Sequence, residues 1–250
     1  MHTHLQYVAR NQALSNKIAL ITGAGDGIGK QAAISYAKCG AQVILLGKTV
    51  SKLEVTYDEI IATGAPEPII VPIDFAGATQ QNYLDMVASI ESQYKRIDIV
   101  LFNASILGNL CPFEQISEKE FNAVMQVNVN SQFLLTQALL PLLKKQNKAS
   151  VIYTTSSVGH KGRAYWGSYS MSKFATEGMM QVLADEHKNS GLRFNCINPG
   201  GTRTNMRAKA FPGEKQDQLK TPLDIMPTYL YLASDDSDDH NGKTFHCQPK

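Results

Sequence analysis

Tyr169 and Lys173 stand four residues apart in a segment with helical patterning, so they project from one helix face. A tyrosine hydroxyl titrates near pH ~10 and is a poor acid–base group at neutrality. A neighbouring ammonium favours the phenolate, so the pair predicts a tyrosine whose pKa is drawn down towards working pH. The chemistry would be proton transfer at a substrate oxygen. Chance supplies a four-residue Tyr–Lys spacing easily, and the weight comes from what surrounds it. Ser156 follows an apolar strand pattern thirteen residues before Tyr169, where its hydroxyl could hydrogen-bond a carbonyl gaining negative charge. An N-cap or loop serine is the plainer alternative. Asn128, in Val127-Asn128-Val129-Asn130, interrupts an apolar helical pattern. A mid-helix asparagine is unfavourable unless its side chain has a task, such as binding a backbone carbonyl or a relay water. Packing and simple exposure remain open for it.

A second constellation lies upstream. Thr22-Gly23-Ala24-Gly25-Asp26-Gly27-Ile28-Gly29 follows the first apolar run and opens a helical pattern. Glycines let a backbone approach a pyrophosphate closely, and a helix N-terminus offers free N–H groups and partial positive charge. A tight structural turn is the alternative. In dinucleotide sites the second strand usually ends in a carboxylate for the ribose hydroxyls. Here the chain reads Leu46-Gly47-Lys48-Thr49, and Lys48 could neutralise a 2′-phosphate, which favours NADP(H) while leaving NAD(H) possible. Asp26 adds negative charge near the phosphates and argues mildly the other way.

The elements that must position these groups alternate. Strand patterns at 18–21, 43–46, 69–71, 97–102, 150–154, 192–197 and 244–247 are apolar throughout. Helical patterns occupy 28–38, 51–63, 80–94, 118–145, 166–188 and 222–233 between them. This predicts an α/β, doubly wound Rossmann fold, with a mostly parallel seven-stranded sheet and helices on both faces. No repeat or low-complexity linker interrupts the chain, so one domain is expected, with its core at about 17–248 and a short extension at 1–16. The longest irregular stretch, 199–220, follows a strand on the ligand-binding side and suggests a mobile substrate cover.

Composition narrows the function classes. The 250 residues are 43% hydrophobic and 18% charged, with 24 basic against 22 acidic side chains and a net charge of +2. That balance gives no reason to expect nucleic acid or a membrane surface as partner. No run approaches the roughly 18–20 apolar residues of a membrane span. The N-terminus lacks the apolar core of an export signal. Four cysteines without a C-x-x-C pair suggest reduced thiols and a cytoplasmic protein. The histidines form no metal-ligand spacing, so no metal is expected. The acidic run 234–239 lacks the glycine and glutamate of a calcium loop and reads as solvated.

Taken together, these motifs resemble the short-chain dehydrogenase/reductase family over about residues 17–248. Thr22-Gly23-x-x-x-Gly27-x-Gly29 is similar to its cofactor turn, and Asn128, Ser156, Tyr169 and Lys173 match its four catalytic positions. Asp74 is similar to its adenine-contacting aspartate. Asn103-Ala104-Ser105 is similar to its Asn-Ala-Gly segment, and Pro199-Gly200 to the motif after its sixth strand. More narrowly, Trp166-Gly167-Ser168-Tyr169, the run from Lys173 to Gln181, and Asn198-Pro199-Gly200-Gly201-Thr202-Arg203-Thr204 resemble the YciK-like group. The chain departs from the family in Ser105, where glycine is usual, and in Lys48, where arginine is frequent.

The resemblance implies hydride transfer between a nicotinamide and a small carbonyl or alcohol. Tyr169 would be the acid/base and Ser156 would orient the carbonyl. Lys173 would lower the tyrosine pKa and hold the nicotinamide ribose, and Asn128 would hold a water linking Lys173 to solvent. Cofactor contacts would come from Thr22, Gly23, Gly25, Asp26, Gly27, Ile28 and Gly29. Others would come from Lys48, Asp74, Phe75, Asn103, Ala104, Tyr169, Lys173, Pro199, Gly200 and Thr202. It further implies a homodimer or homotetramer paired through the helices at 122–143 and 174–183. Two other functions remain open: a dinucleotide-binding sensor without turnover, and a dehydratase or epimerase on the same fold. His160 and Arg163, between Ser156 and Tyr169, either face substrate or are ordinary loop residues. Met206, Phe211 and Pro212 beside Arg203, Arg207 and Lys209 would suit an apolar substrate or a small anion.

Overall fold

The computed structural model describes residues 3–249. Seven strands form one sheet: β1 (Ile18–Thr22), β2 (Gln42–Gly47), β3 (Ile69–Pro72), β4 (Ile99–Phe102), β5 (Ala149–Thr154), β6 (Leu192–Asn198) and β7 (Thr244–His246). Their order is β3-β2-β1-β4-β5-β6-β7, and every pairing is parallel. The sheet is therefore wholly rather than mostly parallel.

The central strands β1, β2 and β4 are apolar along their middles because both faces are covered, while β5 and β6 bury polar side chains such as Ser150, Arg193 and Asn195. In β1, Ile18 and Leu20 enter one core while Ala19 and Ile21 enter the other, and β2 and β4 alternate the same way. The first core is closed by α3 (Gln80–Tyr94), α5 (Ser131–Leu143) and α6 (Gly167–Glu186), through Tyr83, Val87, Leu135, Leu139, Met180 and Leu183. The second is closed by α1 (Gly27–Lys38), α2 (Val50–Ile61) and α8 (Met226–Ala233), through Tyr36, Leu53, Ile60, Tyr229 and Leu232. Fully burying each such side chain is worth roughly 1.5–3 kcal/mol. The segment before β1 joins the second core: Leu14 is fully buried, and Tyr7 donates to Asp236 at 2.7 Å. Among the described residues, no helix is long and apolar enough to cross a membrane.

The structure departs from the sequence pattern in two helical regions. The helix expected over 118–145 is α4 (Glu118–Met125) and α5, separated by a π turn at Gln126–Asn130. The extra residue in that turn carries Asn128 inward, where it is wholly buried. The stretch 199–220 is not irregular throughout. It holds α7 (Asn205–Ala210), capped by the Thr204 hydroxyl, and is tied down by a bridge between Thr202 and Lys220.

The strand order reverses between β1 and β4, where crossovers leave in opposite directions and a crevice opens at the strand ends. Thr22 holds that point. Its hydroxyl accepts the N–H groups of Asn103 (2.9 Å) and Ala104 (3.0 Å) from the turn beyond β4. Replacing Thr22 with Val keeps the shape and leaves both N–H groups without this acceptor. The variant should lose about 2–4 kcal/mol of stability by denaturant titration.

Candidate active site

The carboxyl ends of the central strands open on a single cavity of about 600 Å³. The glycine turn forms one wall. Gly23 adopts φ +69°, and a Cβ there would lie 3.1 Å from Ala104 Cα. A Cβ on Gly29 would fall 2.3 Å from the Gly23 carbonyl oxygen and 2.7 Å from Asn103 Nδ2. Gly29 thus lets α1 start against the turn and does not itself line the cavity, whereas Gly23, Gly25, Gly27 and Ile28 do. This bare backbone at the start of a twelve-residue helix is the geometry that takes a pyrophosphate. The residues present therefore fit a dinucleotide.

Asp26 differs from its expected part. Its carboxylate caps α1 by accepting from Gly27 N (2.7 Å), pairs with Lys52 Nζ (2.6 Å), and accepts from Asn205 Nδ2 (3.0 Å). The Lys52 bond holds its pKa below the usual carboxylate range. Its negative charge is thus already balanced, and it latches α7 over the glycine turn. Lys48 stands exposed at the end of β2 and lines the same cavity, with Lys52 one helical turn along. Sequence reasoning missed Lys52; a second cation in the first turn of the helix after β2 was the available signal. Asp74 and Phe75, after β3, close this end.

Thr22, expected at the cofactor, and Asn128, expected at a water behind Lys173, line no part of the cavity. Thr22 is committed to the β4 turn as described. Asn128 Oδ1 accepts from Ile106 N (2.8 Å), and its Nδ2 donates to Ile106 O (2.9 Å) and Ser172 Oγ (3.0 Å). Both amide hydrogens are spent on protein. The side chain is a clamp that fixes the loop beyond Ala104 against α6, because the π turn aims it at that loop, and its bond to Ile106 O is the backbone-carbonyl task that the sequence allowed.

At the other end the cavity meets Ser156, Tyr169 and Lys173, with Pro199, Gly200 and Thr202 opposite. Ser156 is half-buried and caps a short 3-10 turn by accepting from Val158 N at 3.4 Å. Thr155 Oγ1 is buried beside it with no hydrogen-bond partner among the described residues. Tyr169 and Lys173 share the inner face of α6, as their spacing predicts, and are 8% and 1% exposed. The expected electrostatics do not follow. Lys173 Nζ donates to Thr154 O at 2.9 Å and lies 5.4 Å from the Tyr169 ring centre. Burial pushes the tyrosine up to about 12, and the nearby Ser105 hydroxyl pulls it down only in part. Burial lowers Lys173 to about 8. The phenol is therefore protonated and the lysine mostly cationic at pH 7.

The outer wall is apolar and aromatic. Trp166 packs on both Tyr169 and Phe211, with ring centres 5.9 and 5.7 Å apart, and Ile106, Leu107 and Met206 complete the surface. Arg207 lies 3.8 Å over the Phe211 ring, and its guanidinium binds Glu214 through two contacts of 2.6 and 2.5 Å. His160 and Arg163 do not line the cavity; His160 Nε2 turns to Glu177 at 3.1 Å. The acidic run beyond α8 meets cations, Asp235 with Lys17, Asp236 with Arg10 and Asp238 with Lys148.

Burying Lys173 has a measurable consequence. Its pKa falls from 10.5 to about 8, so between those values the unfolded chain binds the extra proton. Stability then rises with pH across that window, and the cost of the buried charge, about 3 kcal/mol, is fully present below pH 8. Lys173→Met should be more stable than the parent at pH 7. That advantage should shrink as pH rises from 8 to 10 in parallel denaturant titrations.

A sequence model of the short chain dehydrogenase family matches residues 17–215. The oxidoreductase YciK of Escherichia coli K12 is 51% identical over 245 residues, covering 98% of this chain and 97% of its own. A short chain dehydrogenase from Shigella flexneri superposes with a TM-score of 0.96 at 51% identity, covering 98% of this chain and 96% of that one. A Shigella flexneri 2a short chain dehydrogenase complexed with NADP superposes at 0.94 and 51% identity, covering 96% and 100% of the two chains. With its parallel sheet, its glycine turn and its Tyr169–Lys173 helix, the chain belongs to the short-chain dehydrogenase/reductase family of oxidoreductases, in the YciK-like group.

Proposed function

We propose that this protein is an NADP(H)-preferring oxidoreductase that transfers hydride between the nicotinamide and a carbonyl or alcohol carbon, with Tyr169 as acid/base. One observation carries the reading. A single cavity runs from the bare glycine turn and Lys48 to Ser156, Tyr169 and Lys173. Gly23, Gly25, Gly27 and Ile28 would hold the pyrophosphate at the start of α1. Lys48 would meet the 2′-phosphate, with Lys52 held beside it by Asp26, a reading supported by the NADP bound to the Shigella relative. Asp74 and Phe75 would flank the adenine, and Asn103, Ala104, Lys173, Pro199, Gly200 and Thr202 the nicotinamide half.

The bound cofactor supplies the hydride; the chain supplies the proton and the orientation. Ser156 Oγ donates to the substrate carbonyl oxygen and steadies the negative charge that grows there. Tyr169 gives its hydroxyl proton to that oxygen, completing the alcohol, and the nearby Lys173 ammonium stabilises the phenolate left behind. A phenol held protonated by burial suits the reducing direction. The outer wall suits an apolar carbonyl compound through Ile106, Leu107, Trp166 and Met206, and Lys209 on the same side could meet a small anion, while Arg207 is bound to Glu214. Phe133, Met171, Phe174 and Val182 stay exposed on α5 and α6, which supports pairing of these helices between subunits.

In a panel of ketones assayed with NADPH, Tyr169→Phe should lower kcat by about 10²–10⁴-fold and leave NADPH affinity near that of the parent. Residual turnover within tenfold would defeat the assignment. Lys48→Ala should weaken NADPH about tenfold or more by fluorescence titration while leaving NADH binding unchanged. An equal loss for both cofactors would remove Lys48 from the phosphate site.

A further inference from the structure

Glu177 is a carboxylate that the reaction above does not use. It lies one helical turn beyond Lys173 on α6 and is 5% exposed. Burying a charge is costly unless partners compensate. Its Oε2 accepts from Thr244 Oγ1 at 2.7 Å, and its Oε1 faces His160 Nε2 at 3.1 Å. These partners come from β7 and from the loop after β5, so three elements converge on one side chain.

Lys173 has the complementary problem. It is 1% exposed, and its ammonium donates to a neutral backbone carbonyl, Thr154 O, at 2.9 Å. Tyr169 offers it the face of an uncharged phenol ring, 5.4 Å to the ring centre. Cys196, from β6, interacts with both Lys173 and Glu177, but burial and the Glu177 charge push its thiol well above 9, so it is neutral at working pH. Around His160, the His246 ring lies tilted at 5.8 Å and is itself bound to Asn198, which brings no further anion. The buried negative charge that acts on Lys173 is therefore Glu177.

We infer that Glu177, anchored by Thr244 and facing His160, is a positioning residue whose buried carboxylate favours the ammonium form of Lys173. The inference rests on the role proposed for Lys173. A neutral lysine would be a weaker donor to a ribose hydroxyl and would no longer favour the phenolate, so Glu177 would act on the chemistry through Lys173 without touching substrate.

The test begins with the protein labelled at lysine 13Cε, with Lys173 assigned by the resonance lost in Lys173→Met. Glu177→Gln keeps the size of the side chain and removes its charge. The Lys173 titration midpoint should move to lower pH by about one unit, and the alkaline limb of kcat/KM for ketone reduction should move with it. Glu177→Asp should retain most of the parental midpoint. Thr244→Val, which removes a donor to the carboxylate, should give a smaller shift in the same direction and serves if Glu177→Gln does not fold. An unchanged Lys173 midpoint in folded Glu177→Gln would overturn the inference. A shifted midpoint with an unmoved kcat/KM profile would overturn the link to turnover. Because the titration needs no substrate, failure of the proposed reaction in Tyr169→Phe is read separately.

Discussion

The middle of a parallel sheet covered on both faces offers no open surface to a ligand, and that constraint arranges everything else in the molecule. Both cores consume the side chains of β1, β2 and β4 position by position. Groups that do chemistry must therefore gather beyond the carboxyl ends, and the gap between β1 and β4 is where the diverging crossovers leave room. Thr22 makes that gap a defined shape. One hydroxyl fixes two N–H groups of the opposite turn, so the glycine turn and the Asn103-Ala104 segment keep a constant separation. Gly29 and Asn103 then pack too closely for any Cβ.

From that edge the structure pays in buried polarity. Asn128, Lys173 and Glu177 are all nearly inaccessible, and each survives because its partners come from a different element. Asn128 joins the π turn to the loop after β4 and to α6. Lys173 joins α6 to the end of β5. Glu177 joins α6 to β7 and to the loop after β5. Helix α6 is thus bound to the sheet by polar contacts in addition to the apolar packing of Met180 and Leu183. This fixes Tyr169 more tightly than hydrophobic contact alone would. The lid is fixed in a different way. Helix α7 is held by Asn205 on Asp26, by Phe211 on Trp166 and by Arg207 on Glu214, so charge and aromatic surface that looked available for ligand are used to close the site.

The element order and the two-sided burial were legible from unbroken apolar runs separated by helical periods, since a period-two or period-3.6 pattern is a local property of the chain. The glycine turn and the Tyr169–Lys173 spacing were legible for the same reason. What could not be read was direction. Periodicity placed Asn128 on a helix, but a single inserted residue in the π turn decided that its side chain faces Ile106 and Ser172. Proximity of Lys173 to Tyr169 was correct, yet burial, which depends on every neighbour in space, set both titrations and reversed the expected fall of the tyrosine. Asp26 carries a carboxylate in any fold; only the approach of Lys52 and Asn205 from distant segments neutralised it. The sequence by itself determined which groups exist and which of them share a face. The tertiary structure decided their charge and their partners, because desolvation and hydrogen bonding across the sheet edge are sums over residues far apart in the chain.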